Sequence, residues 1–171
     1  MLGVTALLFY SVHGAALIYL NEAAGLLWVC HIATVLVGVG LIFDAPLPNA
    51  AGVLWLCFGN GMWLLYLAGG GDLYVTSLLT HVGGLVIGLA GVRMMGMPRR
   101  TWLWSLAGVL LLQEVSRLFT PERFNVNLAF RVHEGWEHLF HSYGWYMLFL
   151  TAVTGLVFFG AEKVVNRLAV K

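Results

Sequence analysis

The sequence predicts an all-α integral membrane protein, a six-transmembrane-helix bundle with short loops. Of its 171 residues, 60% are hydrophobic and only 10% are charged, and the mean hydropathy is +0.86. Because an ordinary soluble domain carries about 25% charged residues, this composition excludes a water-soluble globule and a disordered chain. A formal net charge of +1 excludes nucleic-acid binding through a basic surface, so the lipid bilayer is the expected partner. The two cysteines, Cys30 and Cys57, lie inside apolar runs and are interpreted as core residues.

Six apolar segments are long enough to cross a bilayer, which takes about 20 mostly apolar residues. Turn-forming residues separate them, and backbone inside the bilayer must be hydrogen-bonded internally, so each segment is expected to be a helix. All six belong to a single transmembrane domain over residues 1–171. The predicted spans are Leu2–Leu20, Ala23–Phe43, Ala50–Ala68, Leu73–Val92, Thr101–Phe119 and Leu139–Ala161.

A polar and aromatic segment, residues 121–138, lies between the last two spans. It is expected at the membrane interface or as a helical extension of the sixth span. Lysine and arginine in the short loops predict the orientation: six lie on the side of the termini and three on the other, which predicts cytoplasmic N- and C-termini. The first group is Arg93, Arg99, Arg100, Lys163, Arg167 and Lys171, and the second is Arg117, Arg123 and Arg131.

A weak internal repeat suggests that helices 1–4 are a duplicated helical hairpin. The stretch HGAALIYL at 13–20 is similar to NGMWLLYL at 60–67, which pairs His13 with Asn60. His31 and His81 are 50 residues apart, and each has a glycine seven positions later. Chance similarity between apolar helices is the alternative, because repeats are recognised by a sustained period.

Ionisable residues inside membrane spans are costly and therefore indicate functional sites. Consecutive spans run in opposite directions, so all six histidines are expected in one half of the membrane, the outer half if the termini are cytoplasmic. Bundle cores assemble metal and cofactor sites from facing helices in this way. The ionisable candidates within the spans are His13, His31, His81, Glu114 and Arg117.

The sharpest local motif is the stretch HEGWEHLFH over residues 133–141. In a helix, Glu134, His138 and His141 would lie on one face. Imidazole and carboxylate groups on successive turns are ligands that Zn, Cu or Fe use, so the motif predicts a transition-metal site. An interfacial helix whose polar side chains face water is the alternative. The expected metal ligands are His31, His81, His133, His138, His141 and Glu134.

This site predicts a metalloprotein, either a metal-dependent membrane enzyme that acts on an apolar substrate or a protein that handles the metal. In the enzyme, the metal would activate water or dioxygen. Glu114, Glu134 or Glu137 would be the catalytic general base. Glu114 has an alternative interpretation, which is an ion pair with Arg117 three residues later on the same helix face.

Two other functions fit the same residues. In a haem b subunit that exchanges electrons with a quinone, His13, His31 and His81 would bind the cofactor, and Gly38 and Gly88 would leave room for the ring. In a channel or structural subunit without metal, the histidines would be hydrogen-bonded or sensitive to pH. The chain would then work as a homo-oligomer or within a larger membrane complex.

Overall fold

The computed structural model describes residues 1–169, which are all-helical, with six α-helices and no strand. The all-α prediction is confirmed for this part of the chain. Short turns and single-turn helices connect the long elements. The helices are α1 (Leu2–Tyr19), α2 (Val29–Ile42), α3 (Pro46–Ala68), α4 (Gly84–Met95), α5 (Thr101–Phe119) and α6 (Tyr143–Ala169).

Within the described residues, three helices are long and apolar enough to cross a membrane, namely α1, α3 and the Tyr143–Leu168 part of α6. The apolar helix α2 has 14 residues, and the apolar segment Leu79–Met95 is also shorter than a full span. These helices are compatible with a membrane protein. The count of six spans and the orientation of the termini stay predictions.

The second predicted span, Ala23–Phe43, is broken near its start. Residues Ala23–Leu27 form a 3₁₀ turn, Trp28 has an extended backbone with φ −57° and ψ 139°, and α2 begins after it. The reason is a cap that comes from outside the segment, because the Val29 N–H donates to the side-chain oxygen of Asn127 at 2.9 Å. Helices begin where their first N–H groups find such acceptors.

The fourth predicted span also differs from a regular helix, because a π turn, Leu79–Gly83, precedes α4. Single π turns are rare and often lie at functional sites. Two side chains from neighbouring helices bind carbonyls of this turn. The Thr34 hydroxyl donates to the Thr80 carbonyl at 2.9 Å, and the Asn60 amide donates to the His81 carbonyl at 3.1 Å. These bonds hold the turn that carries His81.

Residues 121–142 do not form a helical extension of the sixth span. They form two short 3₁₀ helices and turns, and α6 begins at Tyr143, later than predicted. A right-handed helix does not continue through residues with positive φ. The expected helical alignment of Glu134, His138 and His141 is therefore wrong. Positive φ angles occur in this segment at Asn125, Asn127, Leu128 and Gly135.

Close packing of α2 on α3 fixes the end of the bundle that carries the polar residues. Small residues let the two backbones approach each other. A side chain at Gly52 of α3 would meet the Ala33 carbonyl of α2 at 2.6 Å, and one at Gly59 of α3 would meet the Cβ atom of Cys30 at 2.9 Å. The start of α2 therefore has little freedom to move relative to α3.

Glu162 of α6 stabilises the start of α5. Its side chain is 7% exposed, and its Oε2 accepts a hydrogen bond from the Trp102 N–H at 2.7 Å. The carboxylate satisfies one of the unpaired N–H groups of the first turn and lies at the positive end of the helix dipole. We expect Glu162→Ala to lower the free energy of unfolding by about 1–2 kcal/mol.

The measurement for Glu162 is the thermal unfolding midpoint of the purified protein in detergent. Glu162→Gln is the matched control, because its amide oxygen still accepts the hydrogen bond, and it should retain most of the stability. Equal midpoints for the wild type and Glu162→Ala would contradict this capping role.

Candidate metal centre

Three of the six histidines meet in the interior of the bundle. His13 comes from α1, His31 from the first turn of α2 and His81 from the π turn, and their exposed fractions are 2%, 6% and 2%. The Nε2 atoms of His13 and His31 are 3.1 Å apart. The ring centroids of His31 and His81 are 5.6 Å apart. His31 is therefore the central member of a histidine cluster formed by these three residues.

Backbone carbonyls orient two of the rings. The Nδ1 of His31 lies 2.7 Å from the Gly25 carbonyl, and the Nδ1 of His81 lies 2.9 Å from the Ser77 carbonyl. A carbonyl only accepts hydrogen bonds, so in the neutral imidazoles both Nδ1 atoms carry the proton and both Nε2 atoms carry a lone pair. Trp63 stacks on the His81 ring at 4.6 Å and fixes its plane. A second ring nitrogen bound to a carbonyl is the usual support of a metal-ligating histidine.

His13 can also carry its proton on Nδ1 and a lone pair on Nε2. Its Nδ1 lies 2.9 Å from the Thr76 hydroxyl oxygen. A hydroxyl both donates and accepts, so this hydrogen bond survives when the imidazole proton moves from Nε2 to Nδ1. With the proton on Nδ1, the Nε2 lone pair of His13 faces His31 and becomes available to a metal.

The Nε2 atom of His81 is buried and has no hydrogen-bond partner among the described residues. Nearly all buried polar atoms in proteins do have a partner. His81 belongs to a set of three potential ligand residues, since one ligand atom from each of Cys30, His31 and His81 lies within 4.8 Å of the others. An unsatisfied lone pair in such a set indicates a ligand position.

The spacing within the histidine cluster is close to what a metal requires. With metal–nitrogen distances of about 2.0–2.1 Å, tetrahedral ligands lie about 3.3 Å apart. The 3.1 Å between the Nε2 atoms of His13 and His31 already matches this separation. The ligand atoms of Cys30, His31 and His81 lie within 4.8 Å of one another, so their separations need to shorten by up to about 1.5 Å to reach it.

Cys30 is a candidate ligand that the sequence analysis assigned to the core. It lies in the first turn of α2, directly before His31, and is half-buried. Its position next to a histidine inside an apolar segment is the sequence signal that points to a ligand. Cys57 is half-buried as well and is not part of this ligand set.

Asn127 is a positioning residue that the sequence analysis also missed. Its side-chain amide donates to the Leu27 carbonyl at 2.7 Å and to the Ser116 hydroxyl at 2.9 Å, while its oxygen accepts from the Val29 N–H. These bonds clamp both sides of the break at Trp28. Asn127 therefore sets the direction in which the first turn of α2 presents its ligands.

The remaining predicted ligands and bases in residues 133–141 are exposed. His133 lines the cavity described next, and its Nδ1 donates to the Glu134 carbonyl at 2.7 Å. The other four do not line that cavity. Within residues 1–169, the His, Cys, Asp and Glu ligand atoms that lie close together are those of Cys30, His31 and His81. The exposed residues are His133, Glu134, Glu137, His138 and His141.

Glu114 forms an ion pair with Arg117, as the alternative interpretation of its spacing predicted. Arg117 also donates to the Tyr143 hydroxyl at 2.8 Å and to the Ala129 carbonyl. The Glu114 side chain is 59% exposed and lies outside the cavity lining. Through Arg117, the pair therefore connects α5 to the start of α6.

The haem alternative requires space for a flat ring, and neighbouring residues fill the space that the two glycines were expected to leave. A side chain at Gly38 would meet Leu7 at 2.7 Å. One at Gly88 would meet Val53 at 2.7 Å. The rings of the histidine cluster are also in direct contact, so nothing separates them as an axial pair requires.

A cavity of about 410 Å³ lies against the histidine cluster. Its volume falls within the range of about 300–1,000 Å³ that is typical of ligand pockets. His13, His31, His81 and Cys30 all contribute to its wall, and apolar side chains of α3, α5 and α6 form much of the remainder. A metal on these residues would therefore have one side open to an apolar compartment.

Comparison of the chain with protein-family models, with curated proteins and with solved structures finds no match. Function is therefore argued from the chemistry of the site. The site offers up to three imidazoles and one thiol, with an apolar cavity beside them.

Proposed function

We propose that this chain is a multi-pass integral membrane metalloprotein whose transition metal is held by His31 and His81, with His13 and Cys30 completing the donor set. The observation that carries the proposal is the buried, unpartnered Nε2 of His81, which lies among these other potential ligands. With six spans and cytoplasmic termini, the centre lies in the outer half of the bilayer.

The donor set favours zinc or copper. Imidazole suits Zn, Cu and Fe, and a soft thiolate shifts the preference towards Zn and Cu(I). If three of these four residues bind a tetrahedral metal, one position stays open, which is typical of catalytic zinc sites. Because the same residues line the cavity, the open position would face a bound molecule, which supports a metal-dependent enzyme acting on an apolar substrate.

The test is elemental analysis of the protein purified in detergent without chelators, together with an absorption spectrum. We expect about one equivalent of Zn or Cu and no Soret band. The matched control is the triple variant His133→Ala/His138→Ala/His141→Ala, which removes the three exposed histidines. It should keep the full metal content, because those residues lie outside the buried ligand set.

Three results would overturn this proposal. A Soret band would support the haem b subunit, and folded protein without metal would support the channel or structural subunit. Loss of the metal in the triple variant would move the site to the exposed segment that the sequence motif first indicated.

A further inference from the structure

We propose that the cavity beside the metal centre binds a single-chain amphiphile whose headgroup carries a cationic ammonium. This inference deepens the proposed function by naming its substrate class. Only the reaction of the bound molecule rests on the metal, whereas its binding rests on the shape and charge of the cavity.

The apolar wall of the cavity suits a hydrocarbon chain. Apolar side chains of three helices form it, among them Phe58 and Met62 on α3, Leu106 and Leu110 on α5, and Leu150 on α6. Such a wall gives a hydrocarbon chain continuous apolar contact. The volume of about 410 Å³ lies near the low end of the range of ligand pockets, which favours one chain over two.

The mouth of the cavity suits a cation. Two carboxylates, Glu22 and Asp72, line it, and none of the described residues in its lining is Lys or Arg. The Tyr74 hydroxyl donates to Glu22 Oε1 at 3.2 Å, and the Tyr66 hydroxyl accepts from the Asp72 N–H at 3.1 Å. These bonds hold two aromatic rings beside the two acidic residues. Aromatic faces together with negative charge recognise ammonium groups, including quaternary ones.

The histidine cluster lies where the head of such a molecule would join its chain. Two hydrogen bonds connect His81 to Tyr74 of the mouth: His81 Nδ1 donates to the Ser77 carbonyl at 2.9 Å, and the Ser77 hydroxyl donates to the Tyr74 carbonyl at 2.7 Å. The unpartnered Nε2 of His81 belongs to a residue that also lines the cavity. A polar bond at the head–chain junction would therefore lie against the buried imidazoles.

The experiment measures quenching of tryptophan fluorescence by brominated amphiphiles, because Trp28 and Trp63 line the cavity. The protein is reconstituted in nanodiscs of uncharged glycolipid, so that the bilayer itself offers no ammonium headgroup. The two probes are a brominated alkyl trimethylammonium and a brominated fatty acid with the same chain. We expect saturable quenching by the first probe and at least tenfold weaker binding of the second.

Two pairs of variants locate the binding. Glu22→Gln/Asp72→Asn should weaken binding of the ammonium probe about tenfold, since it removes both charges of the mouth. Leu106→Phe/Val109→Phe fills the cavity and should abolish saturable quenching. The matched control places the same aromatic side chains on the outer face of the same helix, where Leu103 and Leu111 are 43% and 67% exposed, and Leu103→Phe/Leu111→Phe should bind as the wild type does.

Equal binding of the two probes, or saturable quenching that survives the cavity-filling variant, would overturn the inference. Removal of the metal from the wild type with a chelator separates the two proposals. The metal-free protein should still bind the ammonium probe. Binding by wild type that carries no metal as purified would refute the metalloprotein proposal alone, and metal without binding would refute the amphiphile alone.

Discussion

Replacing His31 and His81 together by alanine is expected to reduce bound metal to background, more than about 100-fold below the wild type. Loss of a group that merely orients a ligand costs about 10–100-fold in metal affinity, and these residues are the ligands themselves. Both Nε2 atoms carry lone pairs because both Nδ1 atoms donate to carbonyls. The measurement is metal content by elemental analysis and affinity by competition with a chelator.

Single substitutions test how much each residue of the site contributes to metal affinity. His31→Ala should cost more affinity than His13→Ala, because His31 contacts both His13 and the set that contains Cys30 and His81. Cys30→Ser should remove any thiolate charge-transfer band from the cobalt-substituted protein. Unfolding midpoints report whether each variant is folded. A folded double-alanine variant that retains its metal would refute the assignment of these ligands.

Replacing Asn127 by alanine is expected to weaken metal binding about 10–100-fold although the residue contacts no metal ligand side chain. The substitution leaves the Val29 N–H and the Leu27 carbonyl without their partner, and each such buried group costs about 1–3 kcal/mol. The backbone on both sides of Trp28 is then no longer held by Asn127. The first turn of α2, which carries Cys30 and His31, is therefore free to change its direction.

Asn125→Ala is the matched control for Asn127. Both residues have positive φ, 44° and 54°, so alanine meets similar backbone strain at both positions. The Asn125 side chain bonds only within its own segment, where its oxygen accepts from the Phe130 and Arg131 N–H groups. We expect a loss of stability in both variants and a loss of metal affinity only for Asn127→Ala. Equal metal affinities would show that Asn127 supports the fold alone.

Much of the helical framework could be predicted from the sequence because apolar segments of sufficient length have few alternatives in a bilayer. The break at Trp28 could not be predicted, since its cause is Asn127, about 100 residues further along the chain. The predicted helical extension of the sixth span does not form, because several residues near 125–135 have positive φ. Such turns depend on contacts that local propensity does not contain.

The candidate site was predicted in part. Alternation of span directions predicted all six histidines in one half of the membrane, and the structure brings three of them together, His13, His31 and His81. Alternation could not tell which helices are neighbours. Side-chain spacing correctly gave the ion pair between Glu114 and Arg117, because residues three apart on a helix are neighbours. The contribution of Cys30 depends on the angle at which α2 meets the π turn, which only tertiary packing determines.

The π turn at Leu79–Gly83 separates the direction of the side chains before it from the direction of the side chains after it. In a regular helix, residues seven apart differ by only about 20° in direction, because each residue accounts for about 100°. His81 and Gly88 would then be locked to the same face. The wider turn offsets the residues before it from those after it. The glycine face of α4 can therefore be fitted to its neighbours while the imidazole of His81 is aimed separately.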